Sequence, residues 1–123
     1  RLSELAILVT ARKWNCPFEW YMHEPIALRA GLAREIVEAI RSFQKPTFAA
    51  ADEALIYQYT SELHDKKVVS DATYKAATER FGVVGVVELT ALMGYYTMVA
   101  MTLNAHEFDL PEGQRHPFEG FPG

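Results

Sequence analysis

A long run of apolar residues towards the C-terminal end restricts the fold more than any other feature. Between Phe81 and Ala105 the only formally charged residue is Glu88. About 20 apolar residues would be enough to cross a bilayer. Glycines, threonines and tyrosines interrupt this run, however, and no cluster of basic residues flanks it, so we do not expect a membrane span. We predict instead a helix over 83–105 that is covered on most sides.

Such a helix is difficult for a small domain to cover by itself, so the run also predicts an obligate oligomer. Either the rest of the domain or a second subunit would supply the covering surface. Glu88 would then be a buried carboxylate, which needs a cation or hydrogen-bond donors, or else becomes neutral because its pKa rises. Two interpretations of Glu88 are open: a structural ion pair with a residue such as Arg12, and a place in the functional site.

The rest of the sequence also repeats apolar residues with helical spacing, and no strict alternation persists long enough to predict a sheet. Proline at the first helical position predicts a helix start at Pro17, and glycine predicts its end near Gly31. Thr47 and Ser70 are predicted to cap two later helices, the second of which ends at Gly82. With "LSELAILVTARKW", "LAREIVEAIRSF" and the apolar run, these segments predict an all-α bundle of about six helices.

Length and composition fit one helical domain followed by a tail. A chain of 123 residues, 50% of them hydrophobic, is expected to form a single core. We place the domain at 1–107 and an irregular C-terminal tail or arm, rich in proline and glycine, at 108–123. Apolar periodicity starts at Leu2, so we expect the first helix to be under way already and further residues to precede it. We recognise no signal peptide.

Charge and cysteine content narrow the partners and the compartment. The net charge is −4 and the acidic and basic residues are interspersed, unlike the clustered basic face of a nucleic-acid-binding protein. The single cysteine excludes an intramolecular disulfide and suits a reducing compartment. We therefore expect a cytoplasmic protein that binds neither nucleic acid nor membranes.

The stretch "WNCPFEWYMHEP" contains a candidate site. Spacings of three and four residues place Cys16, Glu19 and His23 on one face of the predicted helix. Small and apolar residues continue that face, so we expect the three side chains to be partly buried and within mutual reach. Glu19 can orient the His23 imidazole, and partial burial favours the neutral forms that general acid–base catalysis needs. A plain structural pair, solvated or capping, is the alternative that this geometry leaves open.

The remaining histidines do not predict a metal site. His64, His106 and His116 lack the spacing of metal ligands, and there is no second thiol. No glycine-rich phosphate loop is present either. We therefore expect no metal ion.

Three stretches of the sequence resemble the carboxymuconolactone decarboxylase family, which includes the alkylhydroperoxidase D-like proteins. They are "RLSELAILVTARKWNCPFEWYMHEPIALRAGL", "DEALIYQYTSELHDKKVVSDATYKAA" and "VELTALMGYYTMVAMTLN", and together they cover nearly the whole chain up to Asn104. The resemblance implies an all-helical bundle of the alkylhydroperoxidase D-like type. It also implies assembly into trimers, hexamers or similar rings.

Two activities known in that family correspond differently to this chain. Peroxidase-type members carry C-x-x-C-x-x-x-H and a relay glutamate one helix earlier, which fall here on Cys16, Glu19, His23 and Glu4. Because Glu19 stands in place of the second cysteine, no disulfide can form within the site, and only a one-thiol activity at Cys16 would remain. Decarboxylase-type members carry E-x-x-x-H, which falls on Glu19 and His23.

The resemblance therefore implies a cofactor-free enzyme that decarboxylates a small carboxylated, lactone-like substrate. In this interpretation His23 is the acid, and Glu19 and Glu4 set its protonation, while hydrogen-bond donors hold the charge of the enolate-like intermediate. A substrate that carries its own electron sink needs no metal or organic cofactor.

Further residues are expected to bind the substrate. They are the aromatic residues Trp20, Tyr95 and Tyr96, together with Glu88. Two alternative functions stay open. One is a peroxiredoxin-like activity through Cys16, and the other is a non-catalytic oligomeric binding protein with the same fold.

Overall fold

The computed structural model describes residues 1–121, and this part of the chain contains helices and no strand. The helices, in chain order, are α1 (Leu2–Lys13), α2 (Pro17–Arg29), α3 (Arg34–Arg41), α4 (Ala51–Lys66) and α5 (Asp71–Ala105). The prediction of an all-α fold is confirmed. The predicted boundary at Gly82 lies inside α5, where the backbone is non-helical (φ 75°, ψ 167°).

Helix α1, rather than the long apolar run, is the central helix. It contacts all four other helices, and every residue from Glu4 to Arg12 is buried. Between Leu5 and Ala11 the only polar residue is Thr10, whose hydroxyl donates to the carbonyl of Ala6 at 2.9 Å. A helix that is apolar all round is stable only when it is surrounded, so α1 forms the middle of the core.

Helix α5 packs against α1 and α4 but leaves an apolar face exposed. Within α5, the large exposed hydrophobic side chains beyond Gly82 are Val83, Val84, Val87, Tyr95, Met98 and Met101. The alternative in which the domain itself covers this helix is therefore wrong for the single chain, because the three shorter helices α2, α3 and α4 are occupied in surrounding α1. Coverage by a second subunit stays a prediction.

Two further findings concern α5. Glu88 is exposed, so the prediction of a buried carboxylate at this position is wrong for the single chain. Among residues 1–121, α5 is also the one helix long and apolar enough to cross a membrane by length and composition, with a mean hydropathy of 1.5 and 22% of that window buried.

Most of the predicted helix ends are confirmed. Pro17 is the first residue of α2, and Gly31 follows its end with φ 99°. Ser70 caps α5 with its side-chain oxygen. The predicted cap at Thr47 is wrong, because the chain is irregular there and the N-cap of α4 is Ala50.

The described part of the tail, 108–121, is irregular as predicted, but it packs onto the helices. Phe118 is buried, and its ring centroid lies 5.4 Å from that of Trp20. The guanidinium of Arg12 lies 4.2 Å from the Phe118 centroid, and Arg41 donates to the carbonyl of Pro117 at 3.0 Å. The last two residues of the predicted tail lie outside the described residues.

Candidate functional site

His23 of α2 is held by Glu4 of α1. The Nδ1 atom of His23 lies 2.9 Å from Oε1 of Glu4, and the two side chains are 19% and 11% exposed. Because a carboxylate only accepts hydrogen bonds, Nδ1 carries the proton in this pair. The pair thus fixes the orientation of the ring and leaves Nε2 as the nitrogen that can exchange protons with a ligand.

Glu19 lies one turn before His23 and is buried, with 2% of its surface exposed. Within the described residues, neither of its carboxyl oxygens has a hydrogen-bond partner. Burial raises the pKa of Glu19 from 4.5 to about 8, because the charged form loses its solvation. Glu19 is therefore mostly a neutral carboxylic acid at neutral pH. The expectation that it orients His23 is not met, since Glu4 makes that contact.

Cys16 is fully buried immediately before α2. Burial raises the pKa of its thiol, and this outweighs the opposing effect of the backbone N–H groups of Glu19 and Phe18. The thiol is therefore less readily ionised than a free cysteine, although it stands at a helix N-terminus.

Tyr96 of α5 completes the group around His23. The two rings meet edge to face, with 5.3 Å between centroids. Burial raises the pKa of the Tyr96 hydroxyl, and the charges of Glu4, Tyr95 and Glu19 raise it further. The hydroxyl therefore stays protonated at neutral pH. The ring of Tyr95 packs against that of Tyr96, with 5.0 Å between centroids, and Tyr95 is 54% exposed.

The other two predicted substrate-binding residues lie elsewhere. The Trp20 indole N–H donates to Glu24, and Arg41 donates to the same carboxylate. Trp20 lines a cavity of about 550 Å³ between α2, α3 and the tail. Glu88 lies on the exposed part of α5, about two turns before Tyr95.

Sequence reasoning missed the position of Glu24 and the contact between Tyr96 and His23. The spacing of four residues between Trp20 and Glu24 was a usable signal, because such residues are neighbours on a helix. No local spacing relates Tyr96 to His23, since that contact depends on how α5 packs on α2.

Access to the candidate site is narrow in the single chain. Each of five cavities on the described surface is lined by residues other than Cys16, Glu19 and His23. A ligand would reach Glu19 only after side chains around it had moved. Among residues 1–121, no group of three or more His, Cys, Asp or Glu side chains is arranged to hold a metal ion.

Comparisons with protein-family models, with curated proteins and with solved structures found no match for this chain.

Proposed function

We propose that the protein is a carboxymuconolactone decarboxylase-like enzyme that performs cofactor-free acid–base chemistry on a small carboxylated, lactone-like substrate. The observation that carries the proposal is the hydrogen bond of 2.9 Å between Glu4 and His23. A half-buried imidazole with one nitrogen fixed by a carboxylate is suited to proton transfer at the other nitrogen. The family itself is part of the proposal and rests on the sequence resemblance.

The proposed reaction has two steps. The bond between the substrate and its carboxylate breaks, carbon dioxide leaves, and the electron pair moves onto the adjacent carbonyl group as an enolate. Protonated His23 then transfers the proton on Nε2 to the carbanionic carbon and is reprotonated from solvent. Glu4 holds the ring during both steps through its hydrogen bond with Nδ1.

A neutral Glu19 supports this chemistry. A second carboxylate beside Glu4 would repel both the anionic substrate and the enolate. With its pKa raised to about 8 by burial, Glu19 instead offers an O–H group at neutral pH. We keep Glu19, His23 and Glu4 as the proposed catalytic residues.

The peroxiredoxin-like alternative has less support. It needs a thiolate at Cys16, and burial raises the pKa of that thiol. The sequence offers no second cysteine to resolve an oxidised form.

The non-catalytic alternative is favoured by one observation, which is that the Glu19 oxygens are buried and none of the five cavities reaches them. In that case the protein would be an oligomeric binding protein with a closed site. Exposed Val87 and Met98 support self-association in either case. We propose a trimer or hexamer, in the cytoplasm, with a small molecule as its ligand.

The test is a screen of small carboxylated lactones for release of carbon dioxide. We expect His23→Gln and Glu4→Gln to lower turnover by about 100-fold or more, because each removes part of the proton-transfer pair. Cys16→Ser and His106→Gln serve as controls and should retain most activity, since His106 is exposed. Equal activity in His23→Gln and the wild type would contradict the role of His23, and no turnover of any lactone would support the non-catalytic alternative.

A further inference from the structure

We propose that Glu19 and Tyr96 form a pair of neutral hydrogen-bond donors that holds the enolate oxygen while His23 handles the proton. The proposal rests on the proposed function and deepens it, because it assigns the two residues a shared role and limits the ligands to those that present an oxyanion. It concerns the same site but a different step, in which negative charge develops on the enolate oxygen.

The first observation is that the buried carboxyl group of Glu19 makes no hydrogen bond. It is 2% exposed, and neither oxygen has a partner within residues 1–121. Leaving a buried polar group without a partner typically costs about 1–3 kcal/mol, so folding alone does not explain it. A ligand oxygen that accepts from Glu19 would satisfy this group.

The second observation is the position of Tyr96. Its ring packs edge to face on the His23 ring with 5.3 Å between centroids, and it belongs to α5, whereas Glu19 belongs to α2. Burial raises the pKa of its hydroxyl, so the phenol stays protonated at neutral pH and can donate a hydrogen bond. Tyr96 thus contacts the imidazole from α5, and Glu19 lies one turn before it on α2.

Neutral donors suit this task better than fixed cations would. In a dry site, donors already oriented towards the developing charge stabilise the transition state more than the ground state. A carboxylic acid that an apolar environment keeps neutral can donate to an oxyanion together with a tyrosine. The alternative cation suggested by the sequence, Arg12, lies instead between the rings of Phe43 and Phe118, at 3.9 and 4.2 Å from their centroids.

The ligand class follows from the donor pair. The site should bind molecules with a carbonyl group that becomes an enolate, and stable mimics of an enolate, of which phenolates are the simplest. A phenolate needs no chemical step, so its binding reports on the donors independently of turnover.

The experiment measures binding of 4-nitrophenol, whose neutral and ionised forms absorb at different wavelengths. We expect the wild type to bind it as the phenolate. Tyr96→Phe and Glu19→Met each remove one donor at similar volume and should weaken binding by about tenfold or more, as expected for a hydrogen bond to a charged group. Tyr74→Phe is the matched control, because Tyr74 is an exposed tyrosine of α5 outside the site, and it should bind like the wild type.

Absence of phenolate binding by the wild type would overturn the proposal, as would equal affinities in the wild type, Tyr96→Phe and Glu19→Met. Thermal melting of each variant identifies one that does not fold. The phenolate affinity of the other variant then tests the proposal. If lactones are decarboxylated while all variants bind the phenolate equally, the donor pair is wrong and the proposed function stands. If no lactone reacts but the variants weaken phenolate binding as expected, the donor pair is supported and the proposed decarboxylation is not.

Discussion

At the scale of single residues, Glu19 links the proposed chemistry to the stability of the fold. Its folded-state pKa of about 8 lies above the ordinary value of 4.5. Folding therefore favours the protonated form, and this contribution is fully present below pH 4.5 and is lost as the pH rises through about 8. The carboxyl group that we assign to function thus destabilises the protein in alkaline solution.

We predict that Glu19→Gln removes this pH dependence. Between pH 4.5 and about 8 the wild type should lose stability relative to the variant, by about 4–5 kcal/mol in the free energy of unfolding, since each pKa unit corresponds to about 1.4 kcal/mol. Urea unfolding of both proteins across this range measures the difference. Glu112→Gln, at an exposed position, is the control and should follow the wild type. A constant difference between wild type and Glu19→Gln would show that Glu19 is ionised in the folded protein.

The sequence predicted part of this site for a simple reason. Glu19 and His23 lie on α2 and Cys16 directly precedes it, and within a helix spacing alone determines which side chains share a face. The partners of His23 lie on other helices, Glu4 on α1 and Tyr96 on α5, so their distances depend on tertiary packing. Glu4 was reached only through the family resemblance, and its contact with His23 replaced the predicted one with Glu19.

At the scale of helices, the break at Gly82 sets the direction of the apolar half of α5. Its backbone angles, φ 75° and ψ 167°, lie in a region that is almost restricted to glycine. The sequence predicted an end here because glycine commonly follows helices.

We expect Gly82→Ala to lower the free energy of unfolding by about 1–3 kcal/mol, because alanine is strained at this backbone conformation. A Cβ at this position would meet no other atom within 4 Å, so the cost would come from the backbone alone. Gly94→Ala provides the contrast, since Gly94 is within the regular part of α5 and also has open space. It should be neutral or more stable by up to about 1 kcal/mol. Equal effects of the two changes in urea unfolding would contradict this account.

The two apolar segments of the sequence differ in how far the folded chain covers them. The segment of α1 is short, and four helices suffice to surround it. The segment of α5 was predicted to be the covered one, yet its outer face is exposed in the single chain. Apolar composition indicates that a surface avoids water, but it does not identify what covers that surface.

At the scale of the whole molecule, the exposed face of α5 is the surface through which we propose that the protein self-associates. Large contiguous apolar patches are unusual on soluble monomers. Val87 and Met98 are 62% and 56% exposed, and both lie on the helix that carries Tyr96. Association through this face would also change the surroundings of the candidate site.

We predict that the wild type sediments as an oligomer and that Val87→Lys or Met98→Lys shifts it towards the monomer while helical content is retained. A charge placed in an apolar interface must be desolvated, which opposes association. Ala72→Lys, at an exposed position near the start of α5, is the matched control and should leave the mass unchanged. A monomeric wild type in sedimentation analysis, or partition of the protein into detergent micelles, would contradict this prediction.

The central claim is that Glu19 is a neutral carboxylic acid in a site whose imidazole is held by Glu4. Carbon-13 NMR titration of the glutamate side-chain carboxyl groups tests it most directly, with the Glu19 signal assigned by its absence in Glu19→Gln. We predict a titration midpoint of about 8 for Glu19. A midpoint near the ordinary value of 4.5 would contradict the account, because Glu19 would then be a carboxylate at neutral pH.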